Sequence, residues 1–191
     1  MERVTHENSS CSFGGGQATS VPAAEAALEM SDVVGRHCEL EIWINSPLTL
    51  DPGGLDIIWQ LRHRRPAVRC ANMPTRGMSG PMSLAGLLAQ SAAECFGTVT
   101  VLRLLDVAST VSYRIDAFWA FPVDMRTANV LLSGPDYTRL LVLCMCQARR
   151  HGINDPMGKA LLTSAKQPDA QAAAEKAAQA LASTWVGGAG T

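Results

Sequence analysis

Hydrophobic and polar positions along this chain follow two different periods. Residues 39–46 (ELEIWINS) alternate, with Leu40, Ile42 and Ile44 on one side and Glu39, Glu41 and Trp43 on the other. That is the period of a strand with one face in a core and the other partly covered. Upstream, Pro22 opens a helix to about Val34, with Ser20 close by as a cap. Downstream, PLTLDPGG reads as a loop and LDIIWQLRHRR (55–65) as a helix whose basic end suits its C-terminal dipole, stopped by Pro66. AVRCANM (67–73) reads as a second short strand, and PTRGMSGP as a glycine-broken turn. Residues 82–93 have helical composition, and FGTVTVLRLL (96–105) reads as a third strand.

Helix and strand therefore alternate, which predicts an α/β fold with parallel crossover connections. Residues 107–128 are less regular and hold the aromatic residues Phe118, Trp119 and Phe121. A long helix is expected from Pro135 to Arg150, ended by Gly152, and an alanine-rich helix over 169–182. Residues 1–12 read as a flexible arm, 13–186 as one domain and 187–191 as a disordered tail. No internal repeat is visible.

Composition narrows the class. The chain has 191 residues, 47% hydrophobic and 17% charged, with a net charge of −1. This length buries an ordinary single-domain core, and the apolar content excludes a solvated disordered chain. The absence of a basic surplus argues against nucleic acid as a partner. No apolar run reaches the ~18 residues of a membrane span. The polar, glycine-containing start lacks the apolar centre of a secretory signal, so a cytoplasmic location is expected. Scarce charge beside abundant apolar surface raises the expectation of subunit association.

Candidate chemistry is sparse. The six cysteines contain no CxxC pair, and the four histidines show no metal-ligand spacing, so neither a metal nor a cofactor is expected. Cys70, Cys144 and Cys146 sit in apolar segments and read as small core residues. The sharpest local feature is Arg76-Gly77-Met78-Ser79-Gly80-Pro81, between an expected strand and an expected helix. A serine on such a turn can lie at a helix N-terminus, where amides favour developing negative charge. The same residues also make an ordinary turn. Ile44-Asn45-Ser46-Pro47 ends the first core strand.

INSP, followed by a helix, a strand, a small-residue serine turn and an apolar helix, resembles the proteolytic subunit (ClpP) family of Clp proteases and its crotonase-like relatives. Residues 12–47 resemble that family's opening strand, first helix and INSP strand. MSGPMSLAGLLAQSA resembles its nucleophile turn, the 135–150 helix its protruding handle, and PDAQAAAEKAAQALAS its closing helix. The resemblance implies a superhelix of βαβ units and a ring assembly, heptameric or as two stacked rings. It also implies hetero-oligomers with active paralogues and an AAA+ chaperone as possible partners; the composition already argues against nucleic acid and membrane.

The same resemblance implies a damaged active site. Leu48 and Thr49 stand where the family carries its oxyanion glycines, Ser79 stands near the nucleophile, and Asp106 falls at the histidine position. An aspartate of ordinary pKa ~3.9 is a poor base for an alcohol. The expectation is thus a proteolytically inactive, structural or regulatory subunit. The alternatives are a repurposed enzyme acting on a small acyl or peptide-like substrate, with the aromatic stretch 113–124 shaping its pocket, and a still-active serine peptidase.

Overall fold

The computed structural model describes residues 13–14, 18–35, 38–113, 120–151 and 162–185. The expected arm, the expected tail, Phe118 and Trp119 lie outside them.

Strand β1 (Phe13–Gly14) is followed by helix α1 (Val21–Val34), β2 (Cys38–Asn45), the short β3 (Thr49–Leu50) and α2 (Pro52–Gln60). A 3₁₀ turn (Arg62–Arg64) leads to β4 (Ala67–Asn72), α3 (Leu84–Leu104) and β5 (Thr110–Tyr113). The small strands β6 (Val123–Asp124) and β7 (Asn129–Val130) precede α4 (Pro135–Arg150) and α5 (Ala170–Trp185). β1, β2, β4 and β5 are parallel neighbours in that order, and β3 pairs antiparallel with the end of β2. The result is a mixed α/β fold on a five-stranded sheet.

Local sequence accounts for most of these elements. β2 alternates as expected: Cys38, Leu40, Ile42 and Ile44 are buried while Glu39, Glu41 and Trp43 are half-buried. Helix α2 starts where Asp51 Oδ2 accepts the Gly54 amide at 2.7 Å, with Pro52 in its first turn. In register, Leu40, Ile42 and Ile44 stand beside Val68, Cys70 and Asn72. Leu40 packs with Ala24, Ala27 and Leu28 of α1 and Ile57 of α2; Ile42, Val68 and Cys70 pack with Leu87, Cys95, Val99 and Leu102 of α3. On the other face of the sheet, Arg69 donates to Glu41 at 2.7 Å, a nearly buried pair between adjacent strands.

The third strand is a correction. Residues 96–105 belong to helix α3, and the third long parallel strand begins only at Thr110. The buried residues Leu87, Ser91, Glu94, Cys95, Thr98, Val99 and Leu102 recur at three- and four-residue intervals, a helical stripe. The Thr98 hydroxyl donates to the Glu94 carbonyl at 2.8 Å and Thr100 to Phe96 at 2.8 Å, so both threonines satisfy themselves inside the helix. By length and mean hydropathy (1.2) this one helix among the described residues also passes the test for a membrane span. Its buried stripe nevertheless carries a carboxylate and two hydroxyls and packs on the sheet.

The handle is a second correction. Helix α4 has the expected bounds, yet Tyr137, Leu140, Leu141, Cys144, Met145 and Ala148 are buried within the chain's own core. Gln147 Nε2 donates to the Leu88 carbonyl of α3 at 3.1 Å, so α4 lies along α3 and does not protrude. Helix α5 packs on α4 in turn.

Candidate functional site

The turn after β4 is closed on itself. The Thr75 carbonyl accepts from the amides of Met78, Ser79 and Gly80 at 3.1, 3.1 and 3.0 Å. Ser79 Oγ accepts the Thr75 amide at 2.9 Å, and Gly77, at φ 77°, makes the reversal that glycine allows. The amides that an anion site would need here are spent on one carbonyl. Helix α3 begins later, capped by Ser83, whose Oγ accepts the Gly86 amide at 3.2 Å.

Asp106 lies beyond the opposite end of α3, where Arg65 holds it in a two-pronged exposed ion pair at 2.6 and 3.0 Å. A helix of 21 residues is ~30 Å long, so the structure does not bring Ser79 and Asp106 together. Leu48 lies in the tight link between β2 and β3, and Thr49 is the first residue of β3. Leu48 takes φ 52° despite its side chain, and Thr49 Oγ1 donates to the Pro47 carbonyl at 3.0 Å.

What the structure does assemble is a buried carboxylate. Glu94, on the core stripe of α3, is 3% exposed. Its Oε2 accepts from Ser46 Oγ at 2.8 Å and Asn72 Nδ2 at 2.7 Å; its Oε1 accepts from the Leu48 amide at 3.1 Å and Gln90 Nε2 at 2.9 Å. All four donors are neutral, and they come from the ends of β2 and β4, the β2–β3 link and α3 itself. Asn72, fully buried, also donates to the Ser91 carbonyl and hydroxyl at 3.2 Å, and Gln90 also donates to the Ser79 carbonyl at 2.7 Å. The expected serine turn and INSP segment thus both touch this cluster, as its supports.

The cluster lies at the carboxyl ends of the adjacent parallel strands β2 and β4. A cleft of about 200 Å³ opens here, lined by Ile44, Leu48 and Leu50 on the hairpin side and by Ala93, Glu94, Gly97, Thr98 and Val101 on α3. Its walls are apolar and small, with the one carboxylate set into them. The four hydrogen bonds of Glu94 all come from neutral groups, so none of these donors brings a positive charge to the carboxylate. The arrangement suits a small cation with an apolar surface.

A larger apolar groove of about 760 Å³ runs between α4 and α5, past Val142, Leu143, Ala178 and Trp185. Its carboxylate, Glu175, is already engaged by Thr163, Ser164 and Gln171, so it offers less convergent chemistry. Four cysteines, Cys38, Cys70, Cys95 and Cys144, are buried, whereas Cys146 is exposed. Burial pushes the Cys70 and Cys144 thiols up to about 12, which makes them inert core residues. Among the described residues no cluster of His, Cys, Asp and Glu could hold a metal ion.

Glu94 was not among the candidates read from the sequence, although a signal was present. It is the only charged residue between Arg76 and Arg103, and it falls on the stripe shared by Leu87, Ser91, Thr98 and Leu102. Reading 96–105 as a strand cut that stripe in two and hid it.

Comparison with known proteins overturns the Clp resemblance. No curated protein matches the chain significantly. The family model for trimethylamine methyltransferase (MTTB) matches residues 20–191. A match of that extent outweighs a shared tetrapeptide and an element order that the structure itself breaks at residues 96–105 and at the handle. This match overturns the expectation of a degenerate Clp-type serine peptidase subunit. The chain belongs to the trimethylamine methyltransferase (MTTB) family.

Proposed function

We propose that this chain takes part in methyl transfer from a small methylated amine, and that the cleft beside Glu94 holds the cationic methylammonium group. The observation that carries this reading is the apolar cleft with a carboxylate in its wall whose four hydrogen-bond donors are all neutral, in a chain of this family.

A tertiary amine is protonated at neutral pH, and its surface is mostly methyl. Such a cation needs apolar contact for its methyls and a negative potential for its charge. Ile44, Leu48, Leu50 and Val101 supply the first, and Glu94 the second. The four hydrogen bonds on Glu94 use its acceptor sites, so attraction acts through the field and not through a direct N–H bond. In the transfer itself a nucleophile attacks one methyl carbon and the C–N bond breaks. Nitrogen keeps the bonding electrons and its proton, and a neutral secondary amine leaves. The nucleophile is a second reactant; the role of this chain's residues is to bind and orient the amine and to exclude water from its methyls.

Titration of the isotopically labelled chain with trimethylammonium, followed by NMR, tests the reading. Shifts confined to Leu48, Leu50, Gly97 and Val101 are expected. Val101→Lys, which places a like charge at the exposed rim of the cleft without entering the core, is expected to weaken binding at least tenfold. Binding that survives this substitution, or shifts elsewhere, would exclude the cleft.

A further inference from the structure

Gly97 stands in the middle of α3, thirteen residues past its start. Glycine there destabilises a helix relative to alanine, through backbone entropy. Glycine in a helix is commonly explained by close packing, where a Cβ would collide. Here a Cβ built on Gly97 meets nothing within 4 Å. Its conformation is ordinary helix, so φ does not demand glycine either. Packing and backbone geometry both leave the residue unexplained.

The space beside it has an owner. Gly97 lies one helical turn from Ala93 and Glu94 and one turn from Val101, and all four line the cleft under the β2–β3 link. Gly97 is exposed and lines the cleft, so a side chain there would start from its rim. A cleft of about 200 Å³ holds a compact ammonium ion but loses a substantial part of its room to a branched side chain.

We propose that Gly97 is the size-determining residue of the Glu94 cleft, admitting an ammonium that carries methyl groups and refusing one with longer alkyl chains. This inference rests on the reading of the cleft as a methylammonium site. It predicts an unusual combination of effects in one variant. Gly97→Ala gains helix propensity and is expected to raise the melting temperature by a few degrees. The same variant binds the cation more weakly, and Gly97→Leu, which has open space to fold into, loses binding at least tenfold.

The experiment measures the full chain and both variants by thermal denaturation and by NMR titration with tetramethylammonium and tetraethylammonium chloride. Expected results are a higher melting temperature for Gly97→Ala, wild-type preference for tetramethylammonium, and loss of that binding in Gly97→Leu. A lower melting temperature for Gly97→Ala would show that glycine is required for packing and would overturn the inference. Equal affinity in the wild type and Gly97→Leu would also overturn it while leaving the methylammonium reading intact. If the wild type binds neither cation, the methylammonium reading fails by itself. The size role is then decided with xenon: shifts at Leu50 and Val101 in the wild type but not in Gly97→Leu uphold it. Unchanged or absent xenon shifts refute it.

Discussion

Glu94 illustrates how one residue organises a site. A carboxyl group that is 3% exposed needs partners for its oxygens, and here they are bound by groups from three separate parts of the chain. Glu94→Gln replaces one acceptor oxygen with an amide, which then faces donors. At least one buried donor loses its partner, and the loss is expected to be about 3 kcal/mol, read as a lower urea midpoint at unchanged slope. Leu48 offers the opposite case. Its φ of 52° strains an L side chain that is itself 68% exposed, while its amide does the useful work of binding Glu94. Leu48→Gly keeps that amide and relieves the strain, so a gain of up to about 1 kcal/mol is expected in the same measurement. The Clp resemblance, since overturned, singled out Leu48 and Thr49 as obstructed glycine positions. What it did not convey is that a leucine would adopt the left-handed conformation anyway, held there by the β2–β3 pairing and by a carboxylate 46 residues away.

Among the elements, β2, β4 and α4 were legible because each has a clear pattern or a marked boundary: alternation in β2, Pro66 before β4, and Pro135 at the head of α4. Helix α3 was not. Its second half, FGTVTVLRLL, is rich in residues that favour strands, and only its first half favours helix by composition. Tertiary packing decides the outcome, because continuing the helix places Cys95, Val99 and Leu102 against β4 and lets Thr98 and Thr100 bond within the helix. Such a helix depends on a sound start. Ser83 supplies the cap, with its hydroxyl accepting the Gly86 amide. Ser83→Ala is expected to lose about 1 kcal/mol, and hydrogen exchange should show the added opening concentrated in residues 84–88. Uniform loss of protection across the whole helix would argue that the cap has no local role.

At the scale of the molecule, a short motif misled where a full-length pattern did not. INSP is four residues at a strand end, and many parallel strands end in a turn of that kind; the family match runs across α1 to the C-terminus. The apolar surplus that pointed toward assembly is in part explained within the chain, since the apolar face of α4 is buried against α3 and the sheet. Holding the last helix in this arrangement falls largely to polar side chains. Gln179, fully buried, donates to the carbonyls of Leu132 and Leu162 at 3.2 and 2.8 Å and accepts the Leu162 amide at 3.2 Å. Glu175 accepts from Thr163 Oγ1 at 2.6 Å, the Ser164 amide at 3.0 Å and Gln171 Nε2 at 2.8 Å. These bonds, led by the one from Thr163, hold the Glu175 carboxyl down at about 2, against an ordinary value of 4.5. A carboxyl whose pKa is lower when folded contributes its stabilisation fully above the unfolded value and loses it as the pH falls. The attachment of α5 is therefore expected to weaken as the pH drops from 4.5 toward 2, with little change between pH 6 and 8 from this group. Urea unfolding across that range tests it. Glu175→Gln should be less stable than the wild type at pH 7, and the difference should shrink steadily below pH 4.5. A difference that stays constant down to pH 2 would mean that the carboxylate's charge plays no part in docking the helix.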